Sequence, residues 1–421
     1  MKIRITPGRM SGSVTAPPSK SYAHRMIICA ALAEGKSVIR GVHENEDVLA
    51  TLDCVSAFGA KWSIDGDVLT VYGVGAGDKV KKQSDDTKEN YPCRESGSTL
   101  RFFIPVSLVL GENARFVGAK RLMERGIGVY EKLFSERGIY CKNDGKEIVL
   151  SGRLTSGEYV LVGDVSSQFI SGLMFALPLL RDNSVIKILP PVESRGYIDI
   201  TLDVLRDFGI EITETEKNTF EVRGGQRYQS RDTEVEADWS NGAALIGLRK
   251  LSKVGNVDSC CEKFEVLGLK NDSLQGDRVC VKLFEQLDRD GAVIDISSCP
   301  DLGPVLFAVA AAKNGGRFIG TRRLRIKESD RASVSAEELK RFGIDVTVEE
   351  NSVTVHKGIL KAPSSPCQSH NDHRIVMAVS LLGALVGCEI EGAEAITKSY
   401  PDFFEALAAL GLEVNKENEA K

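Results

Sequence analysis

One phrase returns along this chain and constrains its fold more than any local propensity does. Residues 47–58 carry apolar side chains at helical spacing, and Gly59 stands where a helix would end in a left-handed residue. Ala60-Lys61-Trp62-Ser63-Ile64, an Asp65-Gly66 turn signal and Val68-Leu69-Thr70-Val71 follow. The phrase is helix, glycine, strand, turn, strand. It recurs over 129–137 with Gly138, Ile139-Tyr140-Cys141, Asp144-Gly145 and 147–150, then around Gly209, Gly291 and Gly343, and it closes on a shortened copy at 407–414. Glycines at 59, 138, 209, 291 and 343 share no fixed period, so these are degenerate copies of one unit rather than turns of a solenoid. Six copies predict an α/β (α+β) protein of two similar lobes with three units each, and a crevice where lobes face one another is a favoured place for a ligand.

The remaining bounds come from composition. With 42% hydrophobic and 27% charged residues and only 13 prolines in 421, the chain has the balance of a globular protein. Lys and Arg number 54 against 59 Asp and Glu, a net charge of -5, which argues against a chain built mainly to hold nucleic acid or an anionic membrane. Any anion site must therefore be local. No apolar core follows the first basic residues, so a secretory leader is not expected and the cytoplasm is. The most apolar stretches, 172–180 and 375–388, fall short of the roughly 20 residues a membrane span needs and read as buried helices. The ten cysteines lie singly, apart from adjacent Cys260 and Cys261, with no paired spacing suited to zinc or a redox dithiol. They read as reduced, mostly buried thiols.

Chemistry-bearing residues gather ahead of apolar helical stretches. Pro17-Pro18-Ser19-Lys20-Ser21 precedes 22–33, so unpaired backbone N–H groups, Lys20 and, a turn later, Arg25 could meet one anion, or Ser19 or Ser21 could simply cap a helix. Glu95-Ser96-Gly97-Ser98-Thr99-Leu100-Arg101 follows a polar, loop-like stretch from 79 to 90, and Gly97 removes a side chain where backbone could touch a ligand. Arg125 precedes another helix, Asp164-Val165-Ser166-Ser167-Gln168 opens 170–177, and Ser194-Arg195-Gly196-Tyr197 opens 198–208. In the second half Arg323-x-Arg325-x-Lys327 alternates as one face of a strand would, with Glu328-Ser329-Asp330-Arg331 directly after it. Asp301 begins the apolar run 305–312, Asn371-Asp372-His373-Arg374 opens the most apolar helix, and Lys398 lies ahead of the last repeat helix. No thiol or Ser-His-Asp arrangement stands out as a nucleophile, so a transfer driven by positioning and electrostatics fits better.

Taken in order, these segments resemble the 3-phosphoshikimate 1-carboxyvinyltransferase (5-enolpyruvylshikimate-3-phosphate synthase) family of enolpyruvyl transferases over nearly the whole chain. The family's P-S-K-S, S-G-S/T-x-x-R, E-R-x-I, S-S-Q, K-E-S/T-D-R, N-D-H-R and K-[ST]-[FY]-P-D-[FY]-F segments appear here at Lys20, Gly97, Arg125, Ser167, Glu328, His373 and Lys398. The resemblance implies two lobes of three βαβαββ-like units, one over 18–234 and mainly for shikimate 3-phosphate, the other from 1–17 plus 235–421 and completing the phosphoenolpyruvate site, with the active site in the cleft. It implies transfer of the enolpyruvyl group of phosphoenolpyruvate to the 5-hydroxyl of shikimate 3-phosphate through a tetrahedral intermediate, with release of phosphate and with no metal or organic cofactor.

By position, the resemblance assigns shikimate 3-phosphate to Lys20, Ser21, Arg25, Ser166, Ser167, Gln168, Ser194, Tyr197, Asp301 and Lys327. It assigns phosphoenolpyruvate to Lys20, Gly97, Arg125, Gln168, Arg331, Arg374 and Lys398. Asp301 would accept the 5-hydroxyl proton, and Glu328 or a lysine, Lys20 or Lys398, would protonate the methylene carbon. It further implies a monomer inhibited by the phosphonate glyphosate. The chain departs from the usual family pattern at Glu95, where many relatives carry Asn, and at Gly126, where many carry Pro. The related UDP-N-acetylglucosamine enolpyruvyl transferases have Lys-Asn where this chain has Lys20-Ser21, and a non-catalytic anion binder would have little use for Lys20, Asp301, Glu328 and Lys398 together.

Overall fold

A computed structural model describes residues 1–75, 89–251 and 264–417. Most of the expected loop at 79–90 and the Cys260-Cys261 pair lie outside the described residues, and Asn90 belongs to a strand, Glu89–Pro92. The chain divides into two compact units, Lys20–Glu236 and Met1–Ser19 with Ala237–Lys421.

Within Lys20–Glu236 lie three four-stranded sheets with one topology. In each, two neighbouring strands run parallel and the second pairs antiparallel with the nearer arm of a hairpin. Glu34–Arg40, Val68–Val74 and Lys61–Asp65 form one such set. Its parallel edge strand, Asp232–Glu234, arrives from the far end of the unit. The repeat glycines do what their position requires: Gly59, Gly138 and Gly209 follow helices with φ of +100°, +67° and +78°, a region that costs any side chain. The first hairpin turns on Gly66-Asp67 rather than on Asp65-Gly66.

Each sheet brings two kinds of helix. Lys20–Leu32, Gly97–Leu110 and Ser167–Ala176 are buried on nearly every side, as all-round apolar helices must be. Glu46–Ala57, Gly128–Ser135 and Arg195–Asp207 cover the sheets with one apolar face. The last of these starts at Arg195, three residues before its expected start, so Tyr197 sits in its first turn.

The other unit repeats the plan. Val293–Asp295, Gly316–Ile319, Ser352–Val355 and Val346–Val348 form one sheet; Cys367–Gln368, Cys388–Glu391, Lys2–Thr6 and Glu413–Glu417 form another, into which the N-terminal strand inserts. Ser13–Thr15 and Glu265–Leu267 form a two-stranded parallel sheet. The apolar stretch at 375–388 forms the buried helix His373–Val386 and then turns into the Cys388–Glu391 strand through Gly387 at φ +83°. Trp239–Leu251 and Gly303–Ala311 are buried beside it.

Two expectations fail here. The Gly291 copy has its helix, Cys280–Gln286, and its left-handed glycine, but no hairpin follows among the described residues. The strand after it, Val293–Asp295, pairs parallel with Gly316–Ile319 and opens the next sheet. The Arg323-x-Arg325-x-Lys327 segment is a 3₁₀ helix, Arg322–Ile326, not a strand. At three residues per turn alternate side chains diverge, so Arg323 is buried while Arg325 is exposed and caps the Glu349 carbonyl. The eight described cysteines are free thiols, seven of them buried.

Candidate active site

Lys20, Gly97, Ser167, Gln168, Arg331 and Arg374 stand in the first turns of helices, where unpaired N–H groups and the helix dipole favour negative charge, whereas Arg125 and Lys398 stand at helix C-terminal ends. In the Lys20–Glu236 unit three buried helices begin with Lys20, Gly97 and Ser167. Lys20 Nζ lies 2.7 Å from Asp47 Oδ2, a partner 27 positions on that the sequence reading missed. His24, one turn inside the same helix, is pushed down to about 3 by burial and is therefore neutral, bridging Thr51 Oγ1 and, at 3.5 Å, Ser98 Oγ. Arg25 follows one residue later in the same helix. It is buried and donates to the Ser21 and Tyr197 carbonyls at 2.7 and 3.0 Å and to Thr201 Oγ1 at 2.8 Å, tying the helix starts at 20 and 195 together.

Gly97 has a steric reason to be glycine. A Cβ there would sit 3.0 Å from both Arg101 Nη1 and Arg125 Nη1 and 3.1 Å from Arg125 Nη2. Arg125 reaches this point from the C-terminal end of the short helix Lys120–Glu124, released by Gly126 at φ +69°. Arg101, quoted in the motif but given no role, is 5% exposed, lies over the Phe169 ring and donates to Gln168 Oε1 at 2.8 Å. It thus fixes the Gln168 amide. Ser166 caps its helix through the Gln168 N–H, Ser167 is buried in the first turn, and Ser194 is buried in the left-handed region at φ +57°. Glu95 is half-buried in the turn before Ser96, which caps the Gly97 helix.

The other unit gathers a denser set around one guanidinium. Arg331, 1% exposed, donates to Asp372 Oδ2 at 2.9 Å, Asp301 Oδ1 at 2.7 Å and Glu328 Oε2 at 2.6 Å. Lys327 Nζ lies 2.9 Å from the same Asp301 oxygen. Burial pushes the Asp301 carboxyl up, but Lys327, Arg331 and Arg374 together outweigh it and hold it well below the usual carboxylate range. Burial lowers Lys327 from the ordinary lysine value, only partly offset by Asp301.

Asp372 does more than cap the His373–Val386 helix through the Arg374 N–H. It also accepts from Ser329 Oγ at 2.9 Å and is the one fully buried carboxylate on Arg331. Arg374 donates to the Ser240 carbonyl and hydroxyl at 2.7 and 2.6 Å, while its buried Nε has no protein acceptor. Lys398 Nζ reaches the Asn371 carbonyl at 2.7 Å. Ser240 was not chosen from sequence; Asn371 and Asp372 lie inside a quoted motif, where Asp372 reads as a possible helix cap, which it is, but its hold on Arg331 was not foreseen.

Among the described residues no cluster of three or more His, Cys, Asp or Glu could hold a metal, and no helix is long and apolar enough to cross a membrane. What these two groups offer is cations and helix N-termini for anions, with an ionised carboxylate beside a lysine of lowered basicity.

Comparison with known proteins gives this chemistry a context. The family model described as EPSP synthase (3-phosphoshikimate 1-carboxyvinyltransferase) matches residues 5–407. The 3-phosphoshikimate 1-carboxyvinyltransferase of Clostridium kluyveri is 38% identical, with 98% of each chain covered, and that of Clostridium beijerinckii 36%, with 97% of each covered. In fold, the chain is similar to the solved EPSP synthase of Acinetobacter baumannii, with a TM-score of 0.77 at 24% identity over 99% of this chain and 100% of that one. On the extent of the family match and these full-length identities, the chain belongs to the EPSP synthase (3-phosphoshikimate 1-carboxyvinyltransferase) family.

Proposed function

We propose that this chain transfers the enolpyruvyl group of phosphoenolpyruvate to the 5-hydroxyl of shikimate 3-phosphate, releasing phosphate, and that both groups of residues described above act on this one pair of substrates. The observation that carries the reading is that Lys20, Arg331 and Arg374 of the family's motifs stand in the first turns of helices, and that Lys20, Lys327 and Arg331 pair with carboxylates a substrate anion could replace.

The roles are those the family resemblance assigns, and the charges of the cations and carboxylates support them. Lys20, Arg125, Arg331, Arg374 and Lys398 neutralise the phosphoenolpyruvate carboxylate and phosphate, with Gly97 leaving room and Gln168 donating a hydrogen bond. Ser21, Arg25, Ser166, Ser167, Gln168, Ser194, Tyr197 and Lys327 orient shikimate 3-phosphate. As the 5-oxygen bonds to C2, Asp301 takes its proton and Glu328 or a lysine, Lys20 or Lys398, delivers one to C3. The tetrahedral intermediate then loses phosphate from C2 and returns a proton from C3 to the group that delivered one, re-forming the C2–C3 double bond as an enol ether. Asp301 is a weak base while Lys327 and Arg331 hold it; when those cations turn to the substrates' oxygens its basicity rises. Holding both reactants in line supplies roughly 7–11 kcal/mol of barrier reduction.

We place the enzyme in the cytoplasm as a monomer and expect glyphosate to compete with phosphoenolpyruvate. Asp301→Ala tests the catalytic reading against a binding protein. Calorimetry should find shikimate 3-phosphate affinity reduced only modestly while phosphate release disappears; turnover that survives the substitution would remove Asp301 from the chemistry.

A further inference from the structure

Behind the cluster around Arg331, three donors converge on one buried carboxylate that the mechanism does not use. Glu338, in the helix Arg331–Arg341, is 2% exposed. Its Oε1 accepts from His370 Nε2 at 2.9 Å and its Oε2 from the Gln368 N–H at 3.1 Å, with Arg341 Nε at 3.2 Å. Both Gln368 and His370 belong to the segment that leads into the His373–Val386 helix. Its conformation is unusual: His370 and Asn371 lie consecutively in the left-handed region, at φ +50° and +55°, which costs L-residues free energy and persists only where surroundings impose it. Ser369 closes the turn, its hydroxyl accepting from the Asn371 N–H and its carbonyl from the Asp372 N–H.

This turn supplies two proposed substrate ligands with their anchors. The Asn371 carbonyl holds Lys398, and the Asp372 carboxylate holds Arg331 and Ser329. We infer that Glu338 and His370 are positioning residues whose contact locks the 370–371 turn, so that Lys398 and Arg331 are presented in the arrangement that receives phosphoenolpyruvate. The inference rests on the functional reading above for the identity of the ligand, though not for the lock itself. A histidine at a left-handed position could serve the backbone alone, since His tolerates that region better than most residues. The bond from its Nε2 to a buried carboxylate goes beyond that need.

The groups facing His370 come from one helix: Glu338, Glu337 at 3.9 Å, and Arg341. The Glu338 hydrogen bond, against partial burial, raises His370 from the usual histidine value. The charged contact therefore weakens as pH rises through that raised value.

Steady-state kinetics of the full chain and its His370→Asn and His370→Gln variants separate the possibilities. Asn suits the left-handed backbone but is too short to reach Glu338; Gln places an amide nitrogen near the Nε2 position. His370→Asn should raise KM for phosphoenolpyruvate about tenfold and KM for shikimate 3-phosphate by no more than about twofold, the worth of one charge-assisted hydrogen bond. His370→Gln should recover most of the loss and abolish the alkaline rise of KM for phosphoenolpyruvate expected of the parent. Hydrogen exchange at the Asn371, Asp372 and Arg374 amides should quicken in His370→Asn without any substrate present. An unchanged KM for phosphoenolpyruvate in an active His370→Asn enzyme, or unchanged exchange at those amides, overturns the inference. A parent chain that releases no phosphate instead overturns the functional reading, and the exchange measurement still decides on the lock.

Discussion

Replacing Arg331 by Met should destabilise its unit more than any other single change at the site. The guanidinium, 1% exposed, faces three carboxylates that differ in their access to water: Glu328 and Asp301 are 22% and 24% exposed, whereas Asp372 is 0% exposed. Without Arg331, Asp301 keeps Lys327 and some hydration, and Glu328 can turn outward. Asp372 keeps the Ser329 hydroxyl and the Arg374 N–H but loses its close cation. Removing one partner of a buried ion pair costs about 3–5 kcal/mol because the other charge is left buried, and Met preserves volume so that packing adds little. Urea unfolding can be read in this unit alone, because the chain has two tryptophans, Trp62 in one unit and Trp239 in the other. A Trp62→Phe background leaves Trp239 as the reporter. If Asp372 is the source of the cost, Arg331→Met with Asp372→Asn should recover about 2 kcal/mol relative to the sum of the single changes. A loss below about 1 kcal/mol for Arg331→Met, or strict additivity in the double variant, would refute the reasoning.

Three further outcomes follow from the same geometry. Gly97→Ala puts a methyl group 3.0 Å from the Arg101 and Arg125 guanidinium nitrogens, so both must yield by a few tenths of an ångström. KM for phosphoenolpyruvate should rise about tenfold with little change for shikimate 3-phosphate, and an equal rise in both would contradict the assignment. Asp277 is pushed up to about 6 by burial and then by the Asp301 charge. The folded state thus binds its proton more tightly than the unfolded chain, and stability should fall as pH rises from about 4 to about 6. Asp277→Asn should flatten that slope in melts across this range; an unchanged slope assigns it elsewhere. Arg101→Met should impair turnover through Gln168, to which it donates at 2.8 Å, by about tenfold in kcat/KM, and an unaffected enzyme would show that Gln168 needs no such support.

What could be read in advance was what short-range chemistry dictates. A glycine after an amphipathic stretch followed by alternating residues marks a left-handed helix end and a hairpin, and Gly59, Gly138 and Gly209 behave so because only glycine takes those φ values cheaply. The Gly291 copy misled because its strand pairs parallel with Gly316–Ile319, a choice made by residues more than twenty positions away. Strands Lys2–Thr6 and Asp232–Glu234 complete sheets whose other members are remote in sequence, which no local pattern announces. The arginine alternation at 323–327 misled because alternate side chains diverge in a 3₁₀ turn, which buries Arg323 and exposes Arg325. Charged residues ahead of apolar helices were legible as anion-seeking groups, but their partners were not. Lys20 meets Asp47 and Arg331 meets Asp301 and Asp372 across stretches of chain that only the fold brings together.

The most direct test of the central claim is phosphate release from phosphoenolpyruvate by the purified chain, measured alone, with shikimate 3-phosphate, and with UDP-N-acetylglucosamine. We expect release only with shikimate 3-phosphate. Release with the sugar nucleotide would mean that the acceptor is misassigned, and release with neither would contradict the transfer reaction itself.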